Sequence, residues 1–132
     1  MWDDWFAGFA DGESTFHIEK NGQPRFLIAL RDDDVEVLSD CQERLGGKVR
    51  TYTRPTGKSY SIWTMAGDEC INIVKHLRGR MRSKKAIECE IWCEAVEARA
   101  ALPRLSRGRK TLMLEYKTKL ENQRKLYKET RQ

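Results

Sequence analysis

Residues Trp5-Phe6-Ala7-Gly8-Phe9-Ala10-Asp11-Gly12-Glu13-Ser14-Thr15-Phe16 constrain the fold more than any other stretch of this chain. An apolar run with helical spacing reaches Asp-Gly-Glu and passes straight into a strand-like segment. Gly8 and Gly12 stand four residues apart and share one helix face, with Asp11 beside them. Two small residues on one face let another backbone come close, a steric logic best known from membrane helices. Gly12 is also a natural helix terminator. Glu13 then projects just beyond the helix end, where partial negative charge gathers. A carboxylate there is poorly placed for stability alone, and a divalent cation would offset the repulsion. If a two-fold axis passes through the glycine face, two Glu13 carboxylates meet at one end of the molecule. Hard oxygen ligands in that arrangement suit Mg²⁺, which also takes phosphate oxygens and water. The competing reading is an ordinary amphipathic helix with a glycine end and a surface glutamate. On spacing alone the two readings are evenly matched.

The rest of the chain lays out as helix, two strands, helix, two strands, helix, and then more helix. The first helix covers about 3–12. Residues 14–20 alternate apolar and polar, which reads as a half-buried strand. Asn21-Gly22 signals a hairpin, and 25–31 is the return strand. Asp32-Asp33-Asp34 caps a helix over about 34–45 that Gly46-Gly47 ends. Residues 48–54 and 59–65 pair around Arg54-Pro55-Thr56-Gly57-Lys58. Helices follow over about 68–78, 84–101 and 111–130, with a basic loop over 102–110. The fold expected is α+β, an αββαββα unit with a four-stranded antiparallel sheet, helices on one face, and further C-terminal helices. The boundaries expected are a main domain over 1–102 and a basic loop plus C-terminal helix over 103–132. In the fourth helix Ile87, Ile91, Ala95 and Ala98 form the packing stripe. In the last, Met113, Tyr116, Leu120, Gln123 and Tyr127 recur at three-four spacing. That helix docks on the domain, on a second copy, or on flanking DNA through Lys117, Lys119, Arg124, Lys125 and Lys128.

Such a sheet leaves one face open. With Phe16, Ile18, Phe26, Ile28, Leu30, Val49 and Ile62 inward, the open face carries Thr15, His17, Glu19, Arg25, Leu27, Arg31, Lys48, Arg50, Tyr52, Arg54, Ser61 and Trp63. Lys58 stands in the adjoining turn. A basic, aromatic, hydrogen-bonding sheet can lie in the DNA major groove, where Arg reads guanine. A plain solvated antiparallel face is also polar, but four arginines and an exposed tryptophan argue for use.

Charge points the same way. Residues 1–74 hold 8 Lys/Arg against 13 Asp/Glu, and residues 75–132 hold 17 against 7. A positive balance of that size on one half suggests a polyanionic partner. Cys41, Cys70, Cys89 and Cys93 show no zinc-type pairing, and a reducing interior is the simpler assumption. No signal peptide or membrane-spanning run is visible, so the expected location is intracellular, with no membrane partner.

The string over residues 5–16 resembles the signature of the LAGLIDADG homing endonucleases, in its variant LAGF-x-DG-[DE]-G-S-F, and the resemblance extends to about residue 95. It implies a site-specific, Mg²⁺-dependent double-strand DNA endonuclease. A single motif copy implies a homodimer on a long near-palindromic site, with Ala7, Gly8, Asp11 and Gly12 in the dimer seam and Glu13 binding the metal. Residues 77–86 look like the family's basic turn, which often supplies an active-site lysine. Here the spacing to Lys85-Ala86, where many relatives have Gln-Ala, puts Arg82 at that place, with Lys84 two residues on. Arg31, at the end of the second strand, is the candidate for a further polar group near the scissile phosphate. The resemblance also implies 3′ overhangs and a gene in an intron or other mobile element. Two alternatives share the fold. One is a non-cutting DNA-binding regulator, whose known examples have lost the acidic residue that Glu13 retains here. The other is an RNA-splicing maturase, which would make RNA the partner.

Overall fold

Period-two alternation makes the sheet and period-3.6 stripes make the helices that cover it. The computed structural model describes residues 1–31 and 34–131. Helix α1 covers Trp2–Glu13 and runs directly into strand β1, Ser14–Ile18. Strand β2 follows at Pro24–Arg31, helix α2 at Val35–Leu45, and strands β3 and β4 at Lys48–Thr53 and Ser59–Ala66. A short 3-10 turn at Gly67–Cys70 leads into α3, Ile71–Leu77. Helices α4, Lys85–Ala100, and α5, Arg107–Arg131, complete the chain. The expected α+β arrangement is the one found, with strand order β1-β2-β4-β3 and every neighbour antiparallel. Helices α1, α2 and α4 pack on one sheet face, and α5 lies along α4 and the edge strand β1.

The core is aromatic. Phe26 lies 5.6 Å from Phe16 and meets Trp63 edge-on at 5.5 Å, and Trp92 of α4 stands 5.3 Å from Phe16. Such pairs add about 0.5–1.5 kcal/mol each beyond their buried area. The Trp92 indole N–H donates to the His17 carbonyl at 3.1 Å, which fastens α4 to the edge strand. All four cysteines are buried free thiols, and burial pushes Cys70 up to about 12, so it stays protonated and unreactive.

Three expectations are corrected here. The stripe of α4 is rotated: Cys89, Trp92, Cys93, Ala95 and Val96 are buried, while Ile87 is 54% exposed. The helix packs against both β1 and α5, so its apolar face is wider than a single stripe. The last helix begins at Arg107, not 111, because the Ser106 hydroxyl accepts the Gly108 N–H at 3.1 Å and caps it. Met113, Tyr116 and Leu120 of α5 do enter the common core. Of the expected cap of α2, Asp32 and Asp33 lie outside the described residues, and the Asp34 side chain makes no capping bond.

Gly47 fixes how β3 meets β4. Its φ is +87°, and a Cβ there would come within 2.6 Å of the Thr64 carbonyl oxygen and 2.8 Å of Trp63 Nε1. At Gly57, also at φ +87°, a Cβ meets open space. Gly57→Ala therefore costs only the left-handed backbone, about 1–2 kcal/mol. Gly47→Ala adds a clash with rigid backbone and lowers stability by roughly 3 kcal/mol or more. Urea unfolding of the two variants checks this. Equal midpoints would mean that the close approach is not rigid.

Candidate nucleic-acid interface and active site

Cross-strand partners share a face, so the ladder defines the open surface row by row. His17 pairs with Arg25 and Arg25 with Ala66; Thr15, Leu27, Thr64 and Lys48 form the next row. Ala29, Ile62 and Arg50 follow, and then Arg31, Tyr60 and Tyr52. Of these, Arg25, Lys48, Arg50, Tyr52, Ile62, Thr64 and Ala66 line a concavity of about 530 Å³. The Glu13 end of β1 and the Arg31 row lie at the same end of the sheet, because Ser14 pairs with Ile28 near the end of β2.

Ser61 and Trp63 do not belong to this surface. Both are 0% exposed, on the core side of β4, and Ile62 faces outward instead. The Trp63 indole N–H donates to the Gly46 carbonyl at 2.9 Å, and the Ser61 hydroxyl shares a 2.8 Å hydrogen bond with Thr51. A one-residue parity error moves every side chain of a strand to the other face. The correct parity adds Tyr60 and Thr64 to the surface. The 5.4 Å stack of Tyr60 on Tyr52 carries the Arg54 guanidinium 5.0 Å above Tyr60.

The other expected surface residues take these positions. Thr15, Arg31, Lys48, Arg50 and Lys58 are exposed. Glu19 pairs with Arg25 at 2.6 Å, so these two largely neutralise each other. Burial, then the charges of Lys117 and Arg124, holds the His17 imidazole below the usual histidine range. It is therefore neutral at physiological pH and acts as a hydrogen-bonding group, not a cation.

At the end of α1, Glu13 is exposed. The Ser14 hydroxyl donates back to the Ala10 carbonyl at 2.5 Å and closes the helix. Gly8 and Gly12 are exposed, and a Cβ on either meets nothing within 4 Å in this chain. Trp5, 47% exposed and stacked on Phe9 at 5.1 Å, flanks that face. Ala7 is 6% exposed and packs on the core, and it lines a hollow together with Gly8 and Asp11. Asp11 is engaged within the chain. Its carboxylate accepts the Arg82 and Ser83 amides at 3.1 Å and the Ser83 hydroxyl at 2.6 Å. Burial opposes its charge, but these bonds outweigh burial and hold the carboxyl below the usual aspartate range. The clamp is thus intact above that range and is lost only as pH falls through the lowered value.

The basic turn divides around this clamp. Arg78 pairs with Glu90 and Glu97, and Arg80 approaches Asp4 at 3.7 Å. Arg82 lines a hollow beside Gly8 and Asp11. Lys84 and Lys85 line a different groove, with Ser14 and Thr15. Lys85 had no role assigned from the sequence. Burial lowers its pKa, and the carboxylates of Asp11, Glu13 and Glu88 work against that. Its position depends on how α4 docks, which no local pattern reveals. Among the described residues, one chain groups no three His, Cys, Asp or Glu side chains for a metal.

The site thus joins an exposed carboxylate at a helix end, an open small-residue helix face and a basic four-stranded sheet. Residues 6–96, more than half the chain, match the LAGLIDADG endonuclease family, and the chain belongs to that family. It is similar in fold to the homing endonuclease I-TnaI, at TM-score 0.71 and 20% identity over 96% of each chain. The archaeal intron-encoded homing endonuclease I-Vdi141I, solved in complex with DNA, matches at TM-score 0.70 and 17% identity, over 92% of this chain and 83% of that one. The intron-encoded RNA maturase bI4 of Saccharomyces cerevisiae is 26% identical over 83 residues, 63% of this chain and 13% of that protein.

On the sheet, Arg50 is the arginine whose loss is most informative. Arg50→Ala should relax preference at one symmetric pair of base positions, costing about 1–3 kcal/mol there. Competition binding with single-position target variants measures it. A uniform loss across all targets would mean that Arg50 touches phosphate.

Proposed function

We propose that this chain is a homodimeric, Mg²⁺-dependent, site-specific double-strand DNA endonuclease. The observation that carries the reading is the exposed Glu13 at the end of a helix whose Gly8/Gly12 face is open, beside a basic concave sheet. Two copies joined at that face bring two Glu13 carboxylates together over two symmetric sheets. The Arg50, Lys48 and Tyr52 surface sits in the major groove and sets the register. Arg31, at the Glu13 end, and either Arg82 or Lys84 from the basic turn balance charge on the scissile phosphate. Glu13 would hold the divalent cation, which would supply water activation and charge stabilisation at the phosphate and the leaving oxygen. Each site serves one strand, and family resemblance gives 3′ overhangs.

The test is a randomised near-palindromic duplex library incubated with the protein in Mg²⁺, with the cut ends sequenced. A single recovered site with a fixed stagger supports the reading. No cutting, with selective retention of one duplex, would make the chain a DNA-binding regulator. The maturase relative favours a second reading, RNA-splicing assistance, which binding to a host intron RNA in preference to duplex DNA would support.

A further inference from the structure

A groove of about 330 Å³ runs between the start of β1, the first turn of α4 and the last turns of α5. Its charged lining is Lys84, Lys85, Arg124 and Lys128 against Glu88 alone. That carboxylate is already taken: Arg124 Nε donates to it at 2.6 Å. Arg124 also donates to the Phe16 carbonyl, so it straps α5 to β1. Lys84 stands 5.0 Å over the Tyr127 ring, which holds an ammonium at the mouth of the groove. Among the described residues, no carboxylate lies within 4.0 Å of Lys84, Lys85 or Lys128. Three ammonium groups are thus gathered in one depression, one of them half-buried, with no direct counter-ion among the described residues. Desolvation opposes the Lys85 charge, the carboxylates of Asp11, Glu13 and Glu88 offset only part of that, and a bound anion relieves the rest. Ser14 and Thr15 line the same groove immediately after Glu13.

We infer that this groove binds a phosphodiester of the DNA backbone, next to the phosphate that Glu13 of the same chain serves, with Lys85 and Lys128 as its direct ligands. The inference rests on the endonuclease reading and assigns α5 a task within it. The last helix docks by Met113, Tyr116 and Leu120, and that docking brings Lys128 to the groove. Such a contact fixes the strand relative to Glu13 without reading sequence.

The experiment measures affinity for a short duplex of arbitrary sequence across a salt series in Ca²⁺. It compares the parent, Lys128→Gln, the Lys85→Gln/Lys128→Gln double variant, and Lys75→Gln on α3 as a control. Each phosphate contact adds about 0.9 to the slope of log Kobs on log salt, and a dimer carries two such grooves, so the single variant should lose about 1.8 and the double about 3.6. Lys75→Gln should keep the parental slope. Lys128 is exposed, so its variant folds whether or not the double variant does. Parental slopes in both groove variants, with tight parental binding, would overturn the inference and leave the endonuclease reading standing. A parent with no affinity for duplex DNA would overturn that reading first. A slope loss with an RNA hairpin but none with DNA would overturn the DNA assignment. So would thermal protection by inorganic phosphate that depends on Lys85 and Lys128 while the DNA slopes stay parental.

Discussion

Glu13→Gln should reduce cleavage to background while leaving fold and target binding intact. The side chain is exposed and ends α1, so its removal opens no cavity and leaves no buried group unpaired. A negative charge at a helix C-terminus is unfavourable by about 0.3–1 kcal/mol, and the amide removes that term. The nearby Lys85 ammonium loses a favourable partner, which offsets part of the gain. Stability should therefore stay within about 1 kcal/mol of the parent. The amide keeps the shape of the carboxylate but not the charge that a hard divalent cation needs. Target affinity should be equal or better, because one negative charge beside the DNA backbone is gone. Replacing Mg²⁺ by Ca²⁺ in the parent should give the same phenotype, since Ca²⁺ accepts looser geometry and activates water less well. Cleavage and gel-shift assays on one target check both arms. A Glu13→Gln protein that cuts at near-parental rate with Mg²⁺ would remove Glu13 from the chemistry.

What could be read from the chain alone follows the range of the interactions involved. The α1–β1 junction was legible because each of its signals is local: a helical apolar run, Gly12 and an alternating strand. The parity of β1 and β2 was legible because Phe16, Ile18, Phe26 and Ile28 alternate with polar residues. In β4, large apolar side chains occupy both parities, Tyr60 and Ile62 on one and Trp63 and Met65 on the other. The choice is made by the approach of Gly46-Gly47, which gives the Trp63 indole its acceptor. The Asp11 clamp joins residues more than seventy positions apart, so no local pattern reveals that the motif aspartate expected at the seam also holds the basic turn. The α4 stripe failed for a related reason, since two neighbours cover that helix. The groove cations belong to elements far apart in sequence and meet only once α5 has docked on β1.

Gly8→Leu should abolish dimerisation and, with it, double-strand cleavage, while the single chain folds at least as well as before. Glycine inside a helix costs about 0.8–1.0 kcal/mol relative to alanine, and leucine recovers most of that. A Cβ at position 8 meets nothing within 4 Å of its own chain, so the new side chain causes no internal clash. The same emptiness gives the face its value between two copies. Two helix backbones can close there only if nothing projects from either. Two leucines facing each other across a two-fold axis push the helices apart and separate the Glu13 pair that a shared metal site needs. Circular dichroism should show undiminished helix content, sedimentation should show a monomer, and cutting of both strands should disappear. The neighbouring aromatics sharpen the comparison. Trp5 is half exposed against Phe9 on the flank of this face, so Trp5→Ala should weaken the dimer by lost burial, on the order of 1–3 kcal/mol, without blocking closure. A Gly8→Leu protein that remains dimeric and active would show that α1 is not the seam, and the two carboxylates would then have to meet by another face of the molecule.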